Sequence, residues 1–318
     1  MYDKTTRYLI KVALILLLIG VSSCSFTNFT FENDVFAGTD YNFTNAVELS
    51  GFYVRREDNS TLSELYESLP DITKLNPDDN RVEVWELKVR QDMYTPTDLT
   101  REDIIEEDNP YAGTLTLDLG KIRLSPDSRT ETTIRMGSSG KWSFAAETQI
   151  FVHRFLDNFG RNSKIPKGWD HQVKAEPLLN LDIRHTKRVH LSRHLKLDNT
   201  ISPKVGNIKT EAELDTTFKF GHRIPDFTEQ DDDNLNFYTF FGIHNIYRWH
   251  NIYYRGGIFR SSPHTVSMEN HIFGLHTGIS ISYSSYRCTF SYVKHTRDYA
   301  EQRRRLHEYG LLSFGINW

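Results

Sequence analysis

Three residues of this chain, Gln149, His153 and Asp157, have the types and the spacing that acid–base chemistry requires. They stand at i, i+4 and i+8, so they share one row if residues 141–159 form a helix. That helix is predicted by an apolar stripe at helical spacing on roughly the opposite side. The stripe consists of Phe144, Phe151, Phe155 and Phe159. The row could hold a catalytic histidine, and it could equally be a solvated polar face.

The N-terminus predicts export. Three basic residues precede the apolar run 12–21, which is too short to span a bilayer permanently. We therefore interpret residues 1–23 as a signal peptide. The sequence Val21-Ser22-Ser23-Cys24 resembles a lipoprotein cleavage box, in which Cys24 would be acylated, and ordinary cleavage nearby is an equal alternative.

The composition narrows the class of protein. The chain has 318 residues, a net charge of −4 and 13% aromatic residues, which suits many β-strands and gives no sign of a nucleic-acid partner. Cys288 is the only cysteine besides Cys24, so no disulfide framework is predicted. No interdomain linker is visible, and residues 24–318 are predicted to form one domain.

The C-terminal segment 312–318 predicts a membrane strand. Its even positions are large and apolar, whereas its odd positions are small or polar. This period of two is typical of a strand with lipid on one side and a polar lumen on the other. A final aromatic residue, Trp318, in that register resembles the assembly signal of outer-membrane barrels.

The whole chain is predicted to be all-β, a twelve-stranded antiparallel outer-membrane β-barrel with one helical segment in an outer loop. An even number of strands returns the chain to its starting side, so the first and last strands can pair. The predicted strands are 26–34, 43–53, 82–94, 111–122, 130–137, 172–185, 191–205, 208–221, 236–249, 270–284, 287–296 and 308–318.

The polar candidates converge on one rim of this barrel. If the first strand runs outward, the outer connections are 35–42, 95–110, 138–171, 206–207, 250–269 and 297–307. The acidic insert 230–233 falls on the periplasmic side, where a solvated loop is expected. We expect the helix to pack its phenylalanines on the barrel and to turn its polar row toward the strand ends. The residues that map to the outer rim are Asn33, Asp34, Thr44, Arg101, Gln149 and His153.

Several short motifs follow one another along the chain. They are Phe31-Glu32-Asn33-Asp34 with Phe43-Thr44-Asn45, Asn109-Pro110-Tyr111-Ala112-Gly113, Gln149-x-x-x-His153, and Gly168-Trp169-Asp170-His171-Gln172 with Glu176-Pro177. In this order they resemble the motifs of the outer-membrane lipid A 3'-O-deacylases, and they cover essentially the whole mature chain. The resemblance implies a twelve-stranded barrel that depends on calcium. It also implies hydrolysis of the ester that holds the 3'-acyloxyacyl group of lipid A.

The resemblance also implies individual site residues. His153 matches the catalytic histidine, Gln149 the glutamine one turn earlier, and Thr44 the hydroxyl residue that opens the second strand. Asn33 and Asp34 match an Asn-Asp pair, whose oxygens suit a calcium ion.

The sequence departs from the family pattern at some positions. Arg101 aligns with a lysine and keeps the charge without the compact ammonium group. A family glutamate falls on Phe159, and Asp157 could replace it as the acid that orients the histidine. The Gly-Pro expected before the helix is replaced by residues 137–140.

The residue types suit this chemistry. Histidine can accept a proton from water near neutral pH, and no Gly-x-Ser-x-Gly nucleophile motif occurs, so direct attack by water is the simpler mechanism. Calcium and the Asn33 amide could stabilise the oxyanion. The last outer loop carries three further candidates for lipid A phosphates, which could also be a solvated charge run or contacts to neighbouring lipopolysaccharide: Arg303, Arg304 and Arg305.

Two alternatives remain from sequence alone. The enzyme could cleave another ester, such as that of an outer-membrane phospholipid. The chain could also be a non-enzymatic barrel, a channel or a structural protein, with a degenerate site. We expect a monomer that contacts lipopolysaccharide.

Overall fold

Twelve antiparallel strands form a closed barrel in the computed structural model, which describes residues 26–37, 42–54, 82–158, 164–229 and 233–317. The fold predicted from sequence is therefore confirmed. The predicted signal peptide, Cys24, Phe159 and Trp318 lie outside the described residues. The strands are β1 (Phe26–Asn33), β2 (Asn42–Val54), β3 (Val82–Thr95), β4 (Ala112–Ser125), β5 (Ser128–Ser139), β6 (Pro177–Ser192), β7 (Leu195–Gly206), β8 (Lys209–Gly221), β9 (Asn236–Asn251), β10 (His271–Tyr283), β11 (Tyr286–Thr296) and β12 (Leu306–Asn317).

Pairing of β1 with β12 closes the barrel. The pairing runs without interruption from Phe26 opposite Asn317 to Asn33 opposite Gly310. Every other strand pairs with its neighbours in chain order. Closure matters because hydrocarbon cannot hydrogen-bond to an open strand edge.

Side chains alternate between a charged lumen and an apolar outer surface. In the lumen, Arg90 forms ion pairs with Glu32, Glu48 and Asp92. On the outer surface, even-numbered residues of β12 such as Leu312 and Phe314 are exposed, as their alternation predicted. The lumen encloses a cavity of about 730 Å³ lined by charged and polar residues.

Aromatic side chains fill the outer end of the lumen. A short helix, α2 (Ile252–Arg255), carries Tyr253 and Tyr254, both of which are buried. Tyr253 stacks on Tyr94 with ring centroids 4.1 Å apart, and its hydroxyl lies 2.7 Å from the Thr114 hydroxyl. In the part of the chain that the structure describes, these packed side chains obstruct the outer end of the lumen.

The predicted helix 141–159 is shorter than expected. A 3₁₀ turn, Gly140–Ser143, comes first, and an α-helix, α1 (Ala145–Asn158), follows it. Phe144 separates the two because its φ of 56° is left-handed and cannot belong to either. Among the described residues, no helix combines the length and the apolarity that a bilayer crossing requires.

The sixth strand also differs from its predicted range 172–185 and comprises Pro177–Ser192. Its predicted beginning is a loop that ends at Glu176, which is fully buried. The Glu176 carboxylate accepts hydrogen bonds from the backbone N–H groups of Ile258, Phe259 and Arg260. The Glu176 side chain therefore holds the loop after α2, and β6 begins at the next residue.

The alternation predicts where a charge should destabilise the barrel. Ile279 faces outward near the middle of β10, so Ile279→Arg should cost about 2–4 kcal/mol. Tyr283 faces outward at the end of the same strand, so Tyr283→Arg should cost about 0–1 kcal/mol. Urea unfolding of protein inserted in lipid vesicles measures both. Equal costs at the two positions would contradict the assigned membrane-facing surface.

Candidate active site

The start of α1 lies against the outward face of the barrel wall. Pairing places Asn33, Asn45, Met93 and Gly113 at one level on β1 to β4, on the side opposite the lumenal charges. A Cβ on Gly113 would lie 2.3 Å from the Cβ of Ala145, so only glycine lets the helix approach this closely. The candidate site is therefore bounded by α1 and the outer wall, near the outer ends of the strands.

Gln149 is buried at this contact and has a fixed orientation. The indole N–H of Trp169 donates a hydrogen bond of 2.8 Å to Oε1 of Gln149. Because an indole can only donate, this bond identifies which amide atom is the oxygen. The Nε2 atom of Gln149 is also buried, and it has no hydrogen-bond partner among the described residues. A buried amide donor thus remains available to a ligand.

Trp169 is itself held by the loop that follows β3. It lies in a 3₁₀ turn, Gly168–His171, and packs against Tyr111 with ring centroids 4.9 Å apart. Burial raises the pKa of Tyr111 to about 12, so its phenol stays protonated and can donate to the Leu99 carbonyl 3.4 Å away. Both side chains belong to a buried hydrophobic cluster, whose members are Met93, Leu99, Tyr111, Ala145 and Trp169.

His153 lies one turn after Gln149 and is partly exposed. Its Nδ1 lies 2.6 Å from the carbonyl oxygen of Lys164. A carbonyl can only accept, so Nδ1 carries the proton, and in the neutral ring Nε2 is then the unprotonated nitrogen. The backbone of Lys164 thus orients the ring, a role that we had predicted for Asp157. The Asp157 side chain is exposed at the end of α1.

Two members of the predicted stripe, Phe151 and Phe155, are exposed, contrary to the expectation that they pack on the barrel. Phe151 is 70% exposed and Phe155 is 53% exposed, with ring centroids 6.4 Å apart. The face that packs carries Ala145 and Gln149. A methyl group over Gly113 allows the close approach, which a phenylalanine ring would prevent.

Asn33 and Asp34 mark the point where β1 breaks. Asp34 begins a 3₁₀ turn, Asp34–Ala37, and is fully buried. The turn folds over the outer wall, where a Cβ on Gly310 would lie 2.5 Å from the Cβ of Phe36. Thr44 belongs to β2 at the register shift between Phe43 and Asn45, and its side chain lies outside the described part of the structure.

The Asn33 region has oxygen atoms suited to a calcium ion. Asn45 pairs directly with Asn33, and its Oδ1 is buried without a hydrogen-bond partner among the described residues. Asn33, Asp34 and Asn45 together offer amide and carboxylate oxygens, which calcium prefers, and no cysteine lies among them. This donor set fits the predicted ion.

The predicted cationic residues lie on either side of this region. Arg101 is exposed in the loop after β3 and is paired with Asp103. Because β12 neighbours β1, the loop between β11 and β12 lies on the other side. That loop carries Arg303, Arg304 and Arg305, all exposed.

Sequence reasoning missed the residues that position the candidates. Trp169 and Asn45 stood in recognised motifs without an assigned role, and the Lys164 carbonyl has no sequence signal.

Asp108 is another residue that sequence reasoning missed. It accepts a hydrogen bond of 2.8 Å from the Tyr299 hydroxyl and one of 2.7 Å from the backbone N–H of Thr97. Asp108 therefore ties the last outer loop to the second.

One protein family matches nearly the whole chain. Residues 10–318 match the family described as outer membrane protein LpxR. The fold is similar to that of LpxR from Salmonella typhimurium, with a TM-score of 0.71 and 14% sequence identity over 92% of this chain and 100% of that one. No curated protein has significant sequence similarity to the chain.

Other barrels are much less similar. The β domain of the Bordetella autotransporter BrkA has a TM-score of 0.44 and 9% identity, over 92% of this chain and 98% of that one. The KdgM porin in complex with disordered oligogalacturonate has a TM-score of 0.38 and 6% identity, over 92% and 99%. Neither similarity is strong enough to support an argument about function.

The Trp169–Gln149 hydrogen bond predicts how α1 is held. Trp169→Phe keeps an aromatic ring but leaves a buried amide oxygen without its donor, at a cost of about 1–3 kcal/mol. Amide hydrogen exchange in α1 should therefore accelerate by roughly 5- to 150-fold. Trp142→Phe, at an exposed tryptophan of the preceding 3₁₀ turn, is the matched control. Equal acceleration in both variants would contradict the assignment.

Proposed function

The chain belongs to the LpxR outer membrane protein family, and we propose that it removes the 3'-acyloxyacyl group of lipid A by calcium-dependent ester hydrolysis. The protein resides in the bacterial outer membrane, as its family and its closed barrel indicate. The observation that carries the proposal is the pairing on α1 of a histidine oriented through Nδ1 by a backbone carbonyl with a buried amide donor one turn earlier. A base and a donor so arranged suit attack by water on an ester carbonyl.

His153 acts as the general base in this proposal. Its Nε2 removes a proton from the attacking water, while the Lys164 carbonyl stabilises the imidazolium that forms. The same ring then returns the proton to the oxygen that leaves with the sugar. Because water attacks the ester carbonyl directly, no covalent intermediate with the protein forms, and the products are a carboxylic acid and the sugar alcohol.

Gln149 stabilises the oxyanion. Its Nε2 N–H groups are buried and have no partner among the described residues, so they need no rearrangement to donate to the developing charge. Trp169 is a positioning residue because it prevents the amide from rotating. A pre-oriented donor of this kind is typically worth about 10²–10³-fold in rate.

Asn33, Asp34 and Asn45 would hold the calcium ion. Their oxygens are hard ligands, and the buried Oδ1 of Asn45 lacks another partner among the described residues. The bound ion would supply positive charge near the scissile carbonyl. Thr44, next to Asn45 in β2, is a candidate for orienting the substrate.

The position of the site favours a lipid substrate that approaches from the side. The site faces outward between α1 and β1–β4, so a lipid of the outer leaflet can reach it without entering the lumen. Phe151 and Phe155 present an apolar surface beside it. The cations that could meet the lipid A phosphates lie on both sides: Arg101, Arg303, Arg304 and Arg305.

His153→Ala should lower turnover of lipid A by roughly 10²–10⁴-fold, because a positioned base is lost. His153→Gln keeps much of the shape but cannot accept a proton at neutral pH, so it should be nearly as inactive. Asp157→Asn should keep most of the activity, because a backbone carbonyl orients the ring. Purified protein assayed in mixed micelles measures all three.

Parallel assays with lipid A and with a phospholipid identify the ester. Wild-type turnover by His153→Ala would refute the assigned base. Faster turnover of the phospholipid than of lipid A by the wild-type protein would instead refute the substrate.

Removing calcium should abolish activity. A chelator should inactivate the enzyme and added calcium should restore it, whereas magnesium should restore little because it demands stricter geometry. Asn45→Ala should raise the calcium concentration needed for half-maximal activity, and Glu106→Ala, at an exposed carboxylate of the loop after β3, is the control. Full activity in excess chelator would contradict the metal assignment.

A further inference from the structure

A second group of metal-ligating side chains lies inside the barrel, away from the candidate active site. Asp215 on β8, His244 on β9 and His276 on β10 offer ligand atoms that all lie within 4.8 Å of one another. All three line the lumenal cavity. We propose that they bind one divalent transition-metal ion of the zinc class.

Strand register brings the three ligands together. Asp215 pairs directly with His244, and His276 pairs with Gly242 two residues earlier on β9. The Nε2 of His276 lies 2.7 Å from Oδ2 of Asp215. Binding would displace the proton that these two atoms share, so uptake of the ion should release protons.

Glycines make room for both imidazole rings. A Cβ on Gly242 would lie 2.1 Å from Nε2 of His276, and a Cβ on Gly274 would lie 2.2 Å from Nε2 of His244. Each imidazole ring therefore occupies space that the side chain of any residue other than glycine at position 242 or 274 would fill. This arrangement places the Nε2 of His276 over β9 and the Nε2 of His244 over β10, while a ligand atom of each ring stays within 4.8 Å of the Asp215 carboxylate.

A further hydrogen bond fixes the carboxylate. The Thr217 hydroxyl donates to Oδ1 of Asp215 at 2.7 Å and leaves Oδ2 directed at His276. Arg184, a cation on the adjoining wall of the cavity, is paired with Glu213 at 3.6 Å. Outer hydrogen bonds of this kind orient the ligands of metal sites.

The ligand types select the class of metal. Two imidazole nitrogens and one carboxylate oxygen match three-ligand zinc sites, in which water completes the coordination. Calcium prefers oxygen ligands throughout, so this site should be independent of the calcium proposed on the outer wall. Because the ligands come from three adjacent strands, the ion would cross-link β8, β9 and β10.

A neighbouring cluster of His295, Asp298 and His307 fits a metal less well. Arg248 lies 2.5 Å from one oxygen of Asp298, and Nδ1 of His307 lies 2.6 Å from the other. Both oxygens are therefore engaged, and the guanidinium would repel a cation. Asp298 instead holds the last outer loop inside the barrel mouth.

Metal content tests the proposal directly. Full-length protein in detergent is stripped with a chelator, equilibrated with limiting zinc in excess calcium, desalted and analysed by mass spectrometry of metals. We expect one zinc per chain in the wild-type protein and at least a tenfold loss of affinity in His244→Ala, His276→Ala and Asp215→Asn. Cobalt should give the visible absorption bands of a low-coordinate site in the wild-type protein only.

Two controls make the result decisive. His271→Ala removes an exposed histidine from the same strand as His276 and should keep the zinc, and so should His295→Ala in the neighbouring cluster. Heat-modifiable gel mobility shows which variants remain folded, and the conservative Asp215→Asn variant provides a test if a histidine variant does not fold. Zinc binding that survives in folded Asp215→Asn and His276→Ala, or that is lost in His295→Ala alone, would overturn the proposal.

Discussion

Hydrocarbon offers no hydrogen bonds, so the backbone of every membrane-spanning strand must be paired with another strand. The pairing of β1 with β12, from Phe26–Asn317 to Asn33–Gly310, meets this requirement by leaving no edge. The same requirement limits where chemistry can occur, because a polar site cannot interrupt the wall at the depth of the lipid chains. The candidate site lies where the pairing of β1 ends, at Asn33, and where the turn beginning at Asp34 leaves the sheet.

Two polar regions follow from this arrangement, and the barrel wall separates them. The lumen contains ion pairs such as those of Arg90 and is obstructed at its outer end by Tyr253. The candidate active site lies on the opposite side of the wall, beneath α1. Substrates of the two regions would therefore differ, since small solutes can occupy the lumen whereas a lipid can reach only the outer site.

The barrel could be predicted because its signal is local. The alternation of apolar and polar residues along 312–318, like that of the other strands, depends only on residues two positions apart. An even number of such strands then implies that the barrel closes. The sixth strand was misplaced because the bonds that hold Glu176 come from residues more than 80 positions away. The period of the apolar residues predicted the helix correctly, but it did not predict which side of the helix packs against the barrel. An apolar stripe is driven inward only when water surrounds the protein, and here lipid is an alternative.

The sequence allowed us to predict which residues belong to the candidate site, but not how they are positioned relative to one another. The spacing of Gln149 and His153 and the motif around Asn33 indicated which side chains matter. The partners that orient them, Trp169 and the Lys164 carbonyl, are brought close only by tertiary folding, and nothing in their local sequence indicates a contact with α1. The buried Oδ1 of Asn45 depends likewise on its register with Asn33.

The most direct measurement is mass spectrometry of lipid A from a bacterial strain that lacks a 3'-O-deacylase and expresses this protein. We predict a lipid A species that has lost the mass of its 3'-acyloxyacyl group. The same strain expressing His153→Ala at an equal level in the outer membrane should yield intact lipid A. Intact lipid A from cells whose outer membrane contains the folded wild-type protein would contradict the account.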